Sequence, residues 1–264
     1  AILDKLGPEG RLFSFDQDPD AWEQAEKIDD ERLTLITANF RYLEKYLRLH
    51  RVKQVDGILA DFGVSSYQLD AASRGFSTRF EADLDMRMNQ NSVVSAFNVI
   101  NEYPEEQLRQ VLWLYGELRQ APAMARVIVE ERSKSQIKTS EQLKIVLKRF
   151  LQHKKENKVL AQIYQAIRIE VNQEIEALKE MLLQTSEILK VGGRISFISY
   201  HSLEDRLVKR FIRNGMFEGE PERDFFGNFS VPFKTIGKLI VPDFQEIKSN
   251  NRARSAKLRI AEKK

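Results

Sequence analysis

Cysteine is absent from the sequence, and histidine occurs only three times in 264 residues. The lack of cysteine excludes disulfide bonds and thiolate chemistry, and it is typical of proteins of the reducing cytoplasm. So few histidines argue against a site built on imidazole ligands, and we expect no metal cofactor. The chain has no run of about 18 apolar residues, so we also expect no membrane-spanning helix.

Positive and negative charges nearly balance, with 42 lysines and arginines, 39 acids and a formal net charge of +3. This balance permits nucleic-acid binding without requiring it. The cations are concentrated in two segments, one from Arg132 to Lys158, where nine lysines and arginines face two acids, and one at the C-terminus from Lys248 to Lys264. Both segments could bind phosphates, although a solvated helix face would have the same composition.

Short apolar segments alternate with helical ones in the first part of the chain. We predict strands over 11–15, 33–37 and 55–60, with a helix over 40–49 between the last two. This alternation predicts an α/β fold with a parallel sheet covered on both faces. The polar, irregular segment 62–90 that follows is long for a connection inside a compact domain, which favours a functional role.

A wholly helical block interrupts the alternation, and it divides the chain into three parts. We predict a core region over 1–92, an inserted helical subdomain over 93–158 that is a candidate for RNA binding, and a second core region over 159–264 with a basic tail. In the last part, apolar residues at helical spacing predict one long amphipathic helix over 160–182, ended by Gly192 and Gly193. Strands are predicted over 194–200 and 258–260.

Polar side chains follow the predicted strands where each strand ends, which is where open α/β sheets bind ligands. Asp16 and Asp61 follow two strands, and the cluster 201–205 follows a third. An acid in the position of Asp16 can accept hydrogen bonds from a ribose, although a turn residue is an equal alternative. We interpret Asp18 as the N-cap of the next helix, with Pro19 in its first position.

The loop after Asp61 carries hydrogen-bonding groups without charge, notably Ser65 and Gln68, beside a conformationally permissive Gly63. An ordinary glycine-serine turn would have the same composition. Further along, the loop mixes an aromatic ring with three arginines, Arg74, Arg79 and Arg87. Such a mixture can hold phosphates and stack a splayed base, and it also occurs in salt-bridged surface loops.

Six segments together carry a specific resemblance. They are DGILADFGVSSYQLD (56–70), RGFST (74–78), LDMRM (84–88), QAIRIEVN (165–172), GRISFISYHSLEDR (193–206) and NRARSAKLR (251–259). In this order they resemble the ribosomal RNA small subunit methyltransferase H family, the MraW-type 16S rRNA (cytosine-N4)-methyltransferases. The resemblance implies a Rossmann-like fold that uses S-adenosylmethionine to methylate the N4 amine of a cytidine in the decoding region. The implied partner is small-subunit ribosomal RNA in the small ribosomal subunit.

Carried over residue by residue, the resemblance also implies a site. Asp16 would bind the cofactor ribose, Phe40 would lie against the adenine, and Asp61 and Gln68 would face the methionine end. Asp61 is also our candidate acceptor for the amine proton. Tyr200 and His201 would hold the target base, although a structural hydrogen bond is an equal interpretation of His201. The candidate RNA-binding residues are Arg74, Arg79, Arg87, Arg206, Arg252 and Arg254.

The sequence departs from the family pattern at its start, where the family has a strand and a glycine-rich cofactor loop. We expect both to be missing here, and we expect this chain alone not to bind S-adenosylmethionine with ordinary affinity in a calorimetric titration. Three other interpretations stay open: an amino-methyltransferase for DNA or another RNA, a non-catalytic RNA-binding or ribosome-assembly protein, and a nicotinamide dehydrogenase. The oligomeric state is also open, and a homodimer is one possibility.

Overall fold

The computed structural model describes residues 1–151, 155–221, 225 and 230–264. These residues form two compact units. The first consists of Ala1–Asp16, Trp22–Gly63 and Ile175–Lys264, and the second consists of Gln17–Ala21 and Val64–Glu174. Both ends of the helical subdomain predicted over 93–158 fall within the second unit. None of the described helices is long and apolar enough to cross a membrane.

The described strands all belong to the first unit: β1 (Leu12–Phe15), β2 (Leu33–Ile36), β3 (Val55–Asp61), β4 (Leu189–Ser199), β5 (Phe233–Ile240) and β6 (Lys257–Lys263). One sheet has the order β3-β4-β6-β5, in which β3 and β4 are parallel and the other pairs antiparallel. Within the described residues, β1 and β2 form a separate parallel pair, and β3 is an edge strand. The predicted α/β class and the first three strands are therefore confirmed.

The described residues also form eleven α-helices: α1 (Pro19–Ala25), α2 (Leu43–Leu49), α3 (Ser66–Asp70), α4 (Ala96–Glu102), α5 (Glu105–Leu114), α6 (Ala121–Arg132), α7 (Ser140–Val146), α8 (Glu156–Asn172), α9 (Glu174–Ile188), α10 (Ser202–Asn214) and α11 (Phe244–Ser249). Short 3-10 helices lie at Leu3–Lys5, Phe40–Tyr42, Ala72–Arg74, Lys148–Phe150 and Asn251–Ser255. Helix α3 and the 3-10 helix Ala72–Arg74 both lie in the segment 62–90, for which the sequence predicts irregular structure.

The core of the first unit forms between the sheet and helices α9 and α10. Its fully buried side chains include three phenylalanines from β4, α10 and β5: Phe197, Phe211 and Phe233. The rings of Phe211 and Phe233 are 5.8 Å apart, so α10 packs directly on the antiparallel end of the sheet. This packing places the start of α10, immediately after β4, at the carboxyl end of β3 and β4.

The second unit is helical and has its own core. Helices α4 to α8 surround side chains that are completely buried, among them Met86, Leu108 and Leu112. Thr139 is the N-cap of α7, because its hydroxyl accepts the Gln142 N–H at 3.3 Å and the Gln142 side chain accepts the Thr139 N–H at 3.2 Å. Such a capping box stabilises a helix start by about 1 kcal/mol.

The prediction of one long helix over 160–182 is wrong. The helix is interrupted at Gln173, between α8 and α9, where the φ of 50° is left-handed. The turn is held within the second unit by Arg168, whose Nε lies 2.8 Å from a carboxylate oxygen of Glu174. The role given to the two glycines is also wrong. Helix α9 ends at Ile188, and Gly192 and Gly193 lie inside β4.

Candidate active site

The parallel pairing of β3 with β4 brings two predicted site residues together. Asp61 ends β3 opposite Ile198 in β4, and the Phe62 N–H continues the ladder to the Ile198 carbonyl at 3.0 Å. Tyr200 is the second residue after that pairing position. Because both strands run in the same direction, the side chains at their carboxyl ends meet at one edge of the sheet.

The Tyr200 phenol lies near the Asp61 carboxylate, and a hydrogen bond between the two side chains contributes to the pKa of each. Asp61 is exposed, so its carboxylate is accessible from outside the protein. Partial desolvation raises the pKa of Asp61, the hydrogen bond from Tyr200 lowers it, and the nearby Glu204 carboxylate raises it, with a net rise. Burial and the carboxylates of Asp61 and Glu204 raise the pKa of Tyr200 to about 12, so the phenol keeps its proton at neutral pH.

Glu204 fixes the backbone of the loop that carries Tyr200. Its side chain is 3% exposed, and its Oε2 accepts the N–H groups of Tyr200 at 2.8 Å and His201 at 3.3 Å. Glu204 is the third residue of α10 and forms a capping box with His201. Sequence reasoning quoted this glutamate within a motif but gave it no role. Its spacing from His201 matches a capping box and could have identified it.

His201 is the N-cap of α10, and its contacts lie within that helix end. The imidazole Nδ1 accepts the Glu204 N–H at 3.4 Å, and Nε2 lies 3.1 Å from the Glu204 Oε1. The His201 side chain is 9% exposed. These contacts favour the structural interpretation of His201 over direct contact with a base.

Gly63 follows this pair with a φ of +87°, a left-handed conformation that side chains with a Cβ rarely adopt. A Cβ at this position would lie 3.7 Å from Cδ2 of Tyr200. Substitution would therefore strain the backbone beside Asp61 and Tyr200. The sequence-based expectation of a special conformation at this glycine agrees with the geometry.

Two further predicted cofactor residues, Asp16 and Phe40, lie in the first unit with Asp61. Asp16 is exposed just beyond the end of β1, where its backbone carbonyl accepts the Trp22 indole N–H at 3.0 Å. Phe40 lies in a 3-10 helix, and its ring centroid is 6.1 Å from that of Phe62. Phe40 is therefore close to the residue that follows Asp61.

Gln68, the fourth predicted cofactor residue, belongs to the second unit and is 5% exposed. Its Oε1 accepts the Ser65 N–H at 2.9 Å, and its Nε2 donates to the Asp18 carboxylate. Both ends of the amide are thus engaged within the unit. In this structure Gln68 closes the capping box of α3 with Ser65.

Asp18 caps α1 as predicted, because its Oδ1 accepts the Asp20 N–H at 3.1 Å. The sequence did not reveal its second role. Asp18 is 3% exposed and Arg74 is 7% exposed, and their Oδ2 and Nη2 atoms are 2.8 Å apart. Arg74 also pairs with Asp20 and donates to the carbonyls of Arg87 at 2.9 Å and Met88 at 3.2 Å. Because the Arg74 side chain is buried and bonded to groups of the second unit, we do not retain it among the RNA-binding candidates.

The other candidate arginines differ in exposure. Arg87 is half-buried, and its Nη2 lies 2.8 Å from the Asp85 Oδ2. Arg79 is exposed, and its Nη2 lies 3.0 Å from the Asp70 Oδ1. In the first unit, Arg206, Arg252 and Arg254 are exposed.

Asp205 is a site-proximal residue that sequence reasoning did not single out. It is 7% exposed, and its carboxylate lies 2.7 Å from Arg259 Nε and 3.0 Å from Lys257 Nζ. Burial alone would raise the pKa of Asp205, but the hydrogen bonds from Arg259 and Lys257 outweigh it and lower the pKa. This ion pair fastens the start of β6 to the start of α10.

Comparison with known proteins identifies the family. The model of the MraW methylase family matches residues 1–264. A ribosomal RNA small subunit methyltransferase H from Flavobacterium johnsoniae is 67% identical over 99% of this chain and 86% of the relative. The protein of that name from Flavobacterium psychrophilum is 64% identical over 100% of this chain and 90% of the relative. That from Bacteroides thetaiotaomicron is 50% identical over 100% and 86%. The chain is therefore a methyltransferase that belongs to the MraW methylase family.

Proposed function

We propose that this protein transfers a methyl group from S-adenosylmethionine to the N4 amine of a cytidine in the decoding region of small-subunit ribosomal RNA. The proposal depends above all on Asp61, an exposed carboxylate at the carboxyl end of β3, and on the pairing of β3 with β4 that brings Tyr200 to the same edge of the sheet. The names of the relatives support the RNA substrate. The substrate would be bound in the cytoplasm as part of the small ribosomal subunit.

The residues present suit this cofactor. The exposed carboxylate of Asp16 can accept hydrogen bonds from ribose hydroxyls, and the half-buried ring of Phe40 offers an apolar face to an adenine. S-adenosylmethionine would supply an electrophilic methyl carbon on a sulfonium. We keep Gln68 as a candidate on the methionine side through its position in the loop after Asp61, although its amide contacts lie within the second unit.

The chemistry required of the protein is modest but specific. The cytosine N4 lone pair is delocalised into the ring, so the amine is a weak nucleophile and must be held in line with the methyl carbon. As the N–C bond forms and the C–S bond breaks, one N4 proton must leave, and Asp61 is the proposed acceptor. Tyr200 positions Asp61 by donating to its carboxylate, which leaves other carboxylate lone pairs for the amine N–H. Glu204 and His201 act through Tyr200, because they hold its loop.

This arrangement predicts opposite pH effects for two substitutions. Activity requires the Asp61 carboxylate, so the rate should rise with pH through the pKa of Asp61. Tyr200→Phe removes the hydrogen bond that lowers this pKa, and the acid limb of the pH–rate profile should move to higher pH. Glu204→Gln removes a repelling charge and retains a residue that can close the capping box, so the acid limb should move to lower pH.

Single-turnover methyl transfer measured across the acid range tests both shifts against the unmodified enzyme. Circular dichroism of each variant checks that the first unit is intact. Shifts in the same direction, or none in either variant, would remove Asp61 from the proposed role.

The RNA would also contact the basic surface of the second unit. Exposed cations there include Lys138, Lys148, Arg149, Lys155 and Lys158. Arg132 is not part of this surface, because its guanidinium donates to the carbonyls of Ile100 at 2.6 Å and Tyr103 at 2.5 Å. Lys154, another cation of this segment, lies outside the described residues. Contacts of this kind are mostly to phosphates and weaken as salt rises.

The direct test of the substrate class is methyl transfer from tritiated S-adenosylmethionine by the full-length enzyme. Small ribosomal subunits, their naked RNA, transfer RNA and duplex DNA would be compared at equal concentration. Incorporation into the small-subunit substrates alone supports the proposal. Preferential labelling of DNA or transfer RNA would replace the substrate, and RNA binding without any transfer would favour a non-catalytic protein.

A further inference from the structure

A short apolar segment near the C-terminus of the first unit is exposed. We call it the apolar strip, and its members are Leu239 (41% exposed), Ile240 (51%), Val241 (57%) and Phe244 (80%). The strip begins at the end of the edge strand β5 and ends on the first residue of α11. Isolated exposed apolar residues are common, but four large ones within six residues of sequence favour a binding surface.

The strip lies within a positively charged stretch of sequence. From Lys234 to Arg254 five cations stand against two acids, Asp243 and Glu246. The five cations are all exposed: Lys234, Lys238, Lys248, Arg252 and Arg254. Apolar rings among exposed cations suit single-stranded nucleic acid, because phosphates bind the cations while unstacked bases lie on aromatic faces. A partner protein with a purely apolar contact surface would not require this excess of positive charge.

The segment that carries the strip is connected to the candidate active site through β6. The Glu246 carboxylate on α11 is close enough to Tyr200 to contribute to the rise in the pKa of that phenol. The 3-10 helix Asn251–Ser255 follows α11 and leads directly into β6, which Asp205 fastens to the start of α10. The basic end of the segment is therefore anchored to the same helix terminus that holds Tyr200.

We propose that the apolar strip and its flanking cations form a docking surface for the single-stranded RNA next to the target nucleotide, with a base stacked on Phe244. This inference rests on the RNA substrate of the proposed function and adds the surface that would receive it. Phe244 is the stacking residue because it is the only aromatic ring of the strip and its most exposed member. Lys248, Arg252 and Arg254 would bind the adjacent phosphates.

The test is RNA affinity, measured by fluorescence anisotropy with a fluorescein-labelled single-stranded oligonucleotide of the decoding-region sequence and the full-length enzyme. Phe244→Ala should weaken binding about tenfold, which is the size expected for the loss of one base–aromatic stack. Phe244→Trp, which retains an aromatic face, should bind within about twofold of the unmodified protein on the same grounds. Val191→Ala is the matched control, since Val191 is 76% exposed in the same unit and lies in β4.

Methyl transfer and molar mass by light scattering are measured on the same samples. If the enzyme binds RNA and transfers methyl groups but Phe244→Ala changes neither, the docking surface is wrong and the proposed function stands. If Phe244→Ala weakens binding while no variant transfers methyl groups, the docking surface stands and the proposed function fails. An unchanged RNA affinity with a dimer converted to monomer would show that the strip binds a second copy instead. Absence of oligonucleotide binding by the unmodified enzyme would overturn the docking surface, and methyl transfer to small ribosomal subunits in the same samples decides the proposed function separately.

Discussion

Replacing Asp61 with asparagine is expected to lower the rate of methyl transfer by at least about a hundredfold, the usual range for losing a positioned general base. Asparagine has nearly the same shape, so β3 and the loop after it should remain folded. The amide cannot take up a proton as a base does, although its carbonyl oxygen can still accept a hydrogen bond from the Tyr200 hydroxyl. The loss should therefore appear in the chemical step and leave RNA affinity nearly unchanged.

Asp56→Asn provides the matched control for this variant. Asp56 lies on the same strand and is also exposed. Its carboxylate is 2.6 Å from Lys190 Nζ, at the opposite end of β3 from Asp61. The single-turnover rate of Asp56→Asn should be close to that of the unmodified enzyme, and that of Asp61→Asn at least about a hundredfold lower. Equal rates for Asp61→Asn and the unmodified enzyme would mean that another group accepts the proton.

Replacing Arg74 with methionine is expected to destabilise the second unit by about 3 to 5 kcal/mol, because it leaves buried carboxylate charge without its partner. Asp18 would lose the guanidinium at 2.8 Å, and two backbone carbonyls would lose a donor. Methionine fills a similar volume, so the effect would come from charge and hydrogen bonding rather than from a cavity. Adding Asp18→Asn to this variant should recover part of the loss.

Arg79→Met is the control, because Arg79 lies in the same loop and pairs with Asp70 at the surface, where the two side chains are 59% and 56% exposed. Its removal should cost less than about 1 kcal/mol. Trp22 and Trp113 are the two tryptophans, and only Trp113 lies in the second unit. Urea unfolding followed by fluorescence in a Trp22→Phe background therefore reports on that unit. Similar midpoints for Arg74→Met and Arg79→Met would contradict the structural role given to Arg74.

Sequence patterns predicted the strand-end positions well because strand and helix periodicities are local properties. Asp61 and the loop from Tyr200 were both assigned to strand ends, and the structure places each there. The hydrogen bond between them could not be derived from the pattern. It depends on β3 and β4 being parallel neighbours, which is a long-range property of the sheet.

Burial of polar groups was the main property that the sequence could not reveal. Arg74, Arg79 and Arg87 occur in one loop and look equivalent as sequence, but they range from nearly buried to exposed. Which arginine enters the interior depends on Asp18, far away in the chain. Gln68 illustrates the same limit, since its amide is engaged within the second unit in the structure.

The helix break at Gln173 shows a different limit. Apolar spacing continues across this residue, so periodicity alone predicted one helix. A left-handed conformation at a residue other than glycine costs about 1 kcal/mol or more and depends on surrounding contacts. Here Arg168 holds Glu174 on the other side of the turn. Such a contact carries no local sequence signal comparable to a glycine or proline.

Methylation of cytidine at N4 is tested most directly by identifying the modified nucleoside. Small ribosomal subunits from cells that lack the enzyme would be incubated with the full-length protein and S-adenosylmethionine carrying a trideuterated methyl group. Their RNA would then be digested to nucleosides, and N4-methylcytidine and 5-methylcytidine would be separated by chromatography against standards before mass spectrometry. We expect deuterated N4-methylcytidine that maps to the decoding region and is absent with Asp61→Asn. Label in 5-methylcytidine or in any nucleoside other than cytidine would contradict this expectation.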